Sequence, residues 1–290
     1  MLELAFVLEA GKSRIRDRFA KVIAAPEEKI DLAEAAFLIA AEEYTDLDVN
    51  AELERLDALA AAARTRIGDV ALTDSDEFIR RFNEFIFQEL GFRGNETDYY
   101  DPKNSFLNDV LERRTGIPIS LAAIYVEVAR RLGAPVRGVG FPGHFLARWE
   151  RPDQESIVVV DPFHGSIVTE KDCRELLARI SGGQLAFRHE MLAPLSTRGI
   201  LARMLSNLKG VWIKKPDFER AISACDRILL LTPHASAELR DRGLLWLKLE
   251  CYAPALVDLE AYLAKVPNAP DAPAIAEQLV PLRQLVARIS

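Results

Sequence analysis

Apolar residues recur at helical spacing through the first third of the chain. Ala35, Ala36, Leu38, Ile39 and Ala40 form a broad face behind Asp31, a residue suited to an N-cap, and predict a helix to about Tyr44. Asn50 is the expected cap of a second helix, with Leu53, Leu56, Leu59 and Ala60 on its apolar side. A third comes after Asp74-Ser75-Asp76-Glu77, whose acids suit the positive end of a helix. Phe78, Ile79, Phe82, Phe85, Ile86 and Leu90 make its buried face, and Gly91 stops it. No His or Cys occurs among residues 1–95, so this segment is expected to be a helical cap on the rest of the fold.

After Gly91 the pattern breaks into a loop rich in Gly, Asn and Asp that runs to Asn104. It contains Tyr99-Tyr100, for which two readings stand open: a wall of a binding pocket, or rings packed edge-on against the core. Ser105 to Arg114 reads as a short helix ended by Gly116 in the manner of a C′ glycine. Pro118 suits the first turn of the next helix, where its missing N–H is not needed. That helix carries Leu121, Ile124, Tyr125, Val128, Ala129 and Leu132 on one side, with Glu127, Arg130 and Arg131 on the other, and Gly133 closes it.

Three runs dense in Val, Phe and Trp then predict strands at 136–141, 144–149 and 156–160. Pro142-Gly143 is a turn signal directly before His144, and Asp161 ends the last run. Thr169 with Asp172 opens another helix, to about Ile180, as a capping box does. From Thr197 the pattern changes to helix pairs with an internal period. Phe218, Ala221, Ile222, Asp226 and Pro233 match Tyr252, Ala255, Leu256, Glu260 and Pro267, each 34 residues on, the period of tetratricopeptide repeats. Two units and a terminal helix from Ala272 to Ile289 are few for such an array, which predicts docking on the rest of the protein.

At 290 residues, 49% of them hydrophobic, the chain has the length of about two domains and the apolar content for packed cores. We expect three segments: residues 1–95 helical, 96–196 a mixed core, and 197–290 the repeats. The net charge of −7 is unevenly spread: residues 1–96 hold 12 basic against 21 acidic side chains, and residues 197–290 hold 13 against 10. That distribution excludes a general nucleic-acid binder, which needs a basic face. Cys173, Cys225 and Cys251 are too scattered for a disulfide framework or a thiolate metal site. The longest apolar runs fall short of a membrane span, and the opening Met1-Leu-Glu-Leu-Ala-Phe-Val-Leu-Glu9 lacks a basic leader, so a cytoplasmic location is expected.

One helix followed by strands bearing His144 and Asp161 is an arrangement that cysteine hydrolases and acyl transferases use to orient an imidazole beside a nucleophile. The order and spacing of Gly91-Phe-Arg-Gly-Asn95, Asp98-Tyr-Tyr-Asp-Pro102, Asn104-Ser105, Arg113-Arg-Thr-Gly-Ile-Pro118, Arg130-Arg-Leu-Gly133, Val139-Gly-Phe-Pro-Gly-His144 and Asp161-Pro-Phe163 go further. The chain resembles the transglutaminase-like superfamily, in particular its bacterial SirB-type branch with tetratricopeptide repeats. The resemblance implies an α+β fold: a helical N-terminal segment, a papain-like core of one main helix on a small antiparallel sheet, and helical repeats. In active members a Cys at the start of the helix attacks a carbonyl, a His takes its proton and an Asp orients the His. His144 and Asp161 match the last two.

The Cys does not carry over. Gly116, Ala122 and Gly133 keep the spacing of the superfamily pattern, and that puts Pro118 in the nucleophile's position. Ser120 offers the nearest hydroxyl, but two residues along a helix is a rotation of about 200°. The expected function is therefore a pseudoenzyme: a peptide- or protein-binding adaptor or regulator with a retained His144–Asp161 pair. The alternative is an active amide or ester hydrolase or acyl transferase using Ser120, His144 and Asp161. Tyr99, Tyr100, Asn104, Pro118 and His164 are expected binding residues. His144, Asp161 and His164 are also a possible set of metal ligands, but no HxH or HExxH pattern accompanies them, and neither metal nor cofactor is expected. His144 and Asp161 have a plainer reading as well, a hydrogen-bonded brace of the sheet.

Overall fold

The computed structural model describes residues 2–151 and 156–289. The chain forms two compact units, Met1–Ile200 and Leu201–Ser290. The first unit opens with α1 (Leu2–Ile23), α2 (Leu32–Ala41), α3 (Val49–Ile67) and α4 (Ser75–Asn83). Asp31 caps α2 as expected, its carboxylate accepting the Glu34 N–H at 2.9 Å. The cap of α3 is Asp48 and not Asn50: the Asp48 side chain accepts the N–H groups of Asn50 and Ala51, so the helix starts two residues early. After Asn83 the backbone widens into a π-helical turn, Glu84–Glu89, with Phe85 and Ile86 buried.

The strand pair β1 (Arg93–Gly94) and β2 (Thr115–Gly116) is short and parallel, and α5 (Leu107–Arg113) lies between them in sequence. The helix α5 is ended by Arg114, which takes up the left-handed conformation at φ 54°, and not by Gly116. Gly116 is needed for a different reason: a Cβ there would lie 2.7 Å from the Ser120 hydroxyl and 3.0 Å from Val110.

The unit is built around α6 (Pro118–Arg131), whose residues 118–129 are all buried. It contacts α2, α3 and α5 and also strands β3 (Val136–Val139) and β4 (Leu146–Glu150). Its burial is complete because two unlike neighbours enclose it: helices of the acidic N-terminal segment and a sheet. Glu127, expected on an outer face, is buried, and Arg130 and Arg131 neutralise its carboxylate at 2.9 and 2.5 Å. Tyr125 is fixed between Asn83, whose Oδ1 accepts its hydroxyl at 2.6 Å, and Trp149, whose indole N–H donates to it at 2.9 Å. Burial pushes the Tyr125 phenol well above its ordinary range.

The sheet is antiparallel throughout, in the order β3, β4, β5 (Ile157–Asp161), β6 (Ser166–Val168). The helix α7 (Glu170–Ser181) comes next, with the predicted capping box of Thr169 and Asp172. Val139, Phe141, Leu146, Val159, Cys173, Leu177, Phe187 and Leu192 form one apolar cluster on this side.

The boundary between the units falls inside α8 (Thr197–Lys214), and α9 (Phe218–Leu231), α10 (Ser236–Lys248), α11 (Tyr252–Lys265) and α12 (Ala272–Ile289) complete the chain. Gly243 permits the close approach of α10 and α11, since a Cβ would sit 2.8 Å from Leu259. Lys209, one repeat earlier, instead reaches from α8 to α10, pairing with Glu238 at 2.7 Å and Asp241 at 2.8 Å. Arg242 holds Asp258 and Asp226 together, each at 2.6 Å. Ala255, Leu259, Tyr262, Ile275, Leu279 and Leu282 form the apolar core beneath these pairs. No helix among the described residues is long and apolar enough to cross a membrane.

Candidate functional site

His144 stands just before β4, and Asp161 is the last residue of β5. Gly143, at φ +66°, supplies the turn that a side chain would strain, and His144 N–H closes it onto Phe141 O at 3.0 Å. The pairing of β4 with β5 sets Ala147 opposite Val160, so the residue preceding one strand meets the end of the next. His144 Nε2 lies 2.8 Å from Asp161 Oδ2, and both residues are buried. A neutral His144 ring that donates from Nε2 carries its lone pair on Nδ1.

Asp161 is held from several sides. Its Oδ1 accepts the Phe163 N–H at 2.9 Å and the His164 N–H at 3.4 Å. His164 Nδ1 meets the same Oδ2 that His144 reaches, at 2.7 Å. Burial works to raise the carboxyl pKa, but hydrogen bonding and attraction from His144 and then His164 outweigh it and hold Asp161 below the usual carboxylate range. The 161–164 turn is itself clamped. Gly94 N–H donates to Phe163 O at 2.9 Å, and the Phe163 ring packs so closely on Gly94 that a Cβ there would lie 2.4 Å from it.

Aromatic rings border the two imidazoles. Phe163 stands edge-on to His144 at 6.0 Å between centroids and to His164 at 5.0 Å, and Tyr99 lies 6.5 Å from Phe163. Tyr99 and Tyr100 face solvent, 42% and 49% exposed, and meet each other edge-on.

Pro118 occupies the first turn of α6 and is buried. Ser120 is buried as well, and its hydroxyl is engaged in the backbone: it lies 2.5 Å from Asn104 O, to which it donates, and accepts Ile117 N–H at 3.1 Å. Ile117, being apolar, returns no side-chain bond, so only half of a capping box forms here. Asn104 is wholly buried and ties the 95–104 loop down. It accepts from Asn95 Nδ2 at 3.0 Å and donates to Asp98 O at 2.7 Å. Sequence reasoning places Asn104 among binding residues; its contacts are those of a pin between loop and helix.

The thiols stand elsewhere. Cys173 is buried on α7, and burial with neighbouring acids pushes its pKa up to about 11. Cys225 is buried on α9, and burial raises its thiol far above the ordinary value. Such thiols are poor nucleophiles at neutral pH. An open groove of about 320 Å³ lined by Arg55, Ala58, Leu59, Leu90, Phe92, Leu111 and Arg114 contains none of the expected site residues.

Comparison with known proteins agrees with this architecture. A family model described as the transglutaminase-like superfamily matches residues 50–206, and one for the tetratricopeptide repeat matches residues 208–280. A UPF0162 protein of Xylella fastidiosa (strain Temecula1) is 40% identical over 260 residues, covering 88% of this chain and 91% of the relative. The UPF0162 protein YchA of Escherichia coli K12 is 28% identical over 237 residues, 82% of this chain and 86% of YchA. F-box only protein 21 of Mus musculus is 36% identical over 133 residues, 43% of this chain and 20% of that protein. No solved structure matches the chain.

Proposed function

The chain belongs to the transglutaminase-like superfamily, in its SirB-type branch with C-terminal tetratricopeptide repeats, and we propose that it acts there as a non-catalytic binding module. Pro118 carries the reading. It opens α6, where the resemblance to the superfamily pattern implies the nucleophile, and proline has no group to attack a carbonyl. Ser120 is a poor substitute, because reaching an imidazole would require it to leave Asn104 O and Ile117 N–H. Each such bond is worth about 1 kcal/mol net, and more when a buried partner is left unsatisfied. The raised thiol pKa values of Cys173 and Cys225 argue the same way.

What remains is a buried His144–Asp161 pair bordered by Phe163 and the exposed Tyr99 and Tyr100, together with repeats of a type that generally mediates protein–protein interactions. We assign the partner as a peptide or protein segment; the repeats, and separately the aromatic border of the His–Asp pair, each offer it a surface. Exposure of the purified full chain to a serine-directed fluorophosphonate, with intact mass as the readout, tests the non-catalytic part. The expected result is no adduct on Ser120. An adduct on Ser120 that disappears in His144→Ala would make the protein an enzyme.

A further inference from the structure

Three side chains converge on one point in the first unit. His144 Nε2 and His164 Nδ1 lie 2.8 and 2.7 Å from the same carboxylate oxygen, Asp161 Oδ2. All three ligand-type atoms fall within 4.8 Å of one another, and among the described residues no other trio of His, Cys, Asp or Glu does so. We propose that His144, Asp161 and His164 bind one divalent first-row transition ion through two imidazole nitrogens and one carboxylate oxygen.

Four observations lead there. First, the donor set is right: two neutral imidazoles and a carboxylate suit zinc and its neighbours, and three protein ligands leave a position open to an outside oxygen. Second, the spacing is close. Zinc bonds of about 2.0–2.2 Å place tetrahedral ligand atoms about 3.3 Å apart, so the two nitrogen–oxygen separations need to open by about half an ångström. Third, the outer contacts are already in place. Asp161 Oδ1 is taken by the backbone N–H groups of Phe163 and His164, which orient Oδ2 without help from either ring, as ligating carboxylates are commonly oriented. The Gly94–Phe163 hydrogen bond fixes the turn that bears two of the three ligands. Fourth, there is a way in: the His164 side chain is 52% exposed, whereas those of His144 and Asp161 are almost fully covered.

A brace for the sheet accounts for His144 on Asp161, since one imidazole suffices to hold one carboxylate. It leaves unexplained why a second imidazole, from the same turn, aims at the same oxygen. Ion binding accounts for both. The open coordination position would take an oxygen donor, such as a carboxylate or carboxamide of a bound peptide. This inference does not depend on the non-catalytic reading: the ion is detected by titration, and turnover by probe labelling.

The test uses the chelator-stripped full chain. Zn²⁺ is titrated by calorimetry, and Co²⁺ is followed by its visible absorption. The expected result is one ion per chain, with Co²⁺ bands of an N/O site. His164→Ala should weaken Zn²⁺ binding on the order of 100-fold or more, because even outer contacts to a metal ligand commonly contribute 10–100-fold. Asp161→Asn should do the same, and His189→Ala with His234→Ala should leave affinity unchanged. Since His164 is half-exposed, its alanine variant is expected to fold, which circular dichroism checks. The absence of saturable one-to-one Zn²⁺ binding, or equal affinity in His164→Ala, would overturn the proposal.

Discussion

The tight contact between Gly116 and Ser120 yields a double-mutant test of what Ser120 does. In the wild-type chain the Ser120 hydroxyl donates to Asn104 O at 2.5 Å and accepts Ile117 N–H at 3.1 Å, in a fully buried position. Ile117 N–H also reaches Asn104 O at 3.2 Å, so Ser120→Ala leaves both backbone groups one remaining partner. The loss is then about 1–2 kcal/mol, that of a buried hydrogen bond without the full penalty of an orphaned group. Gly116→Ala places a Cβ 2.7 Å from that hydroxyl and 3.0 Å from Val110, an overpacking that costs about 1–3 kcal/mol. In the double variant the hydroxyl is gone and only the Val110 contact persists. The two changes should therefore cost less together than separately, by about 0.5–1.5 kcal/mol. Urea unfolding of the four proteins, monitored by circular dichroism, measures this coupling. Additivity within about 0.3 kcal/mol would refute the view that Ser120 is a packed brace at the start of α6.

Other expectations rest on contacts of the same kind. Lys209→Met takes the cation from the partly buried Glu238 and leaves Asp241 with Arg240 alone, and should destabilise the protein by about 1–3 kcal/mol in urea unfolding. Burial opposes the lowered carboxyl pKa of Asp241, but Lys209 and then Arg240 win, so its contribution is present above the unfolded pKa of about 3.9 and is lost as pH falls through the folded value. An acid titration of stability below about pH 4 should be shallower in Lys209→Met than in wild type. Gly243→Ala should cost about 1–3 kcal/mol through its 2.8 Å approach to Leu259, whereas Gly210→Ala, which meets nothing within 4 Å on α8, should stabilise by about 0.5–1 kcal/mol. Equal effects of the two in thermal unfolding would contradict the packing described. Tyr125→Phe should lose about 1–3 kcal/mol, because Asn83 Oδ1 and Trp149 N–H both depend on its hydroxyl.

Much of this molecule is legible in its sequence where local chemistry decides. Asp31 caps α2, Pro118 opens α6, Thr169 and Asp172 form their box, and the 34-residue period becomes paired helices. Where two local signals compete, sequence alone misplaces an element by a residue or two. Asp48 and Asn50 are both good caps, and which one wins depends on where the chain turns. Gly116 looks like a helix stop because glycine favours such places, yet Arg114 bears the positive φ and Gly116 answers to Ser120. Contacts between distant segments leave no local trace. Nothing in the sequence says that Asn104 O receives the Ser120 hydroxyl, or that Glu127 is buried beneath two arginines. The His144–Asp161 pairing is legible from strand order, because adjacent antiparallel strands bring the head of one to the tail of the next. The convergence of His164 on the same oxygen depends on the clamp at Gly94, which only the folded chain displays.

The reading we propose puts the His144–Asp161 pair beside a nucleophile position that Pro118 fills. Pro118→Cys tests it most directly. The rate of iodoacetamide alkylation of the introduced thiol, measured against pH in the presence of chelator, reports its pKa. The account predicts a thiol that reacts well below the ordinary value of about 8.5 and returns to it in combination with His144→Ala. An introduced thiol of ordinary pKa, indifferent to His144, would contradict the placement of Pro118 in the nucleophile's position.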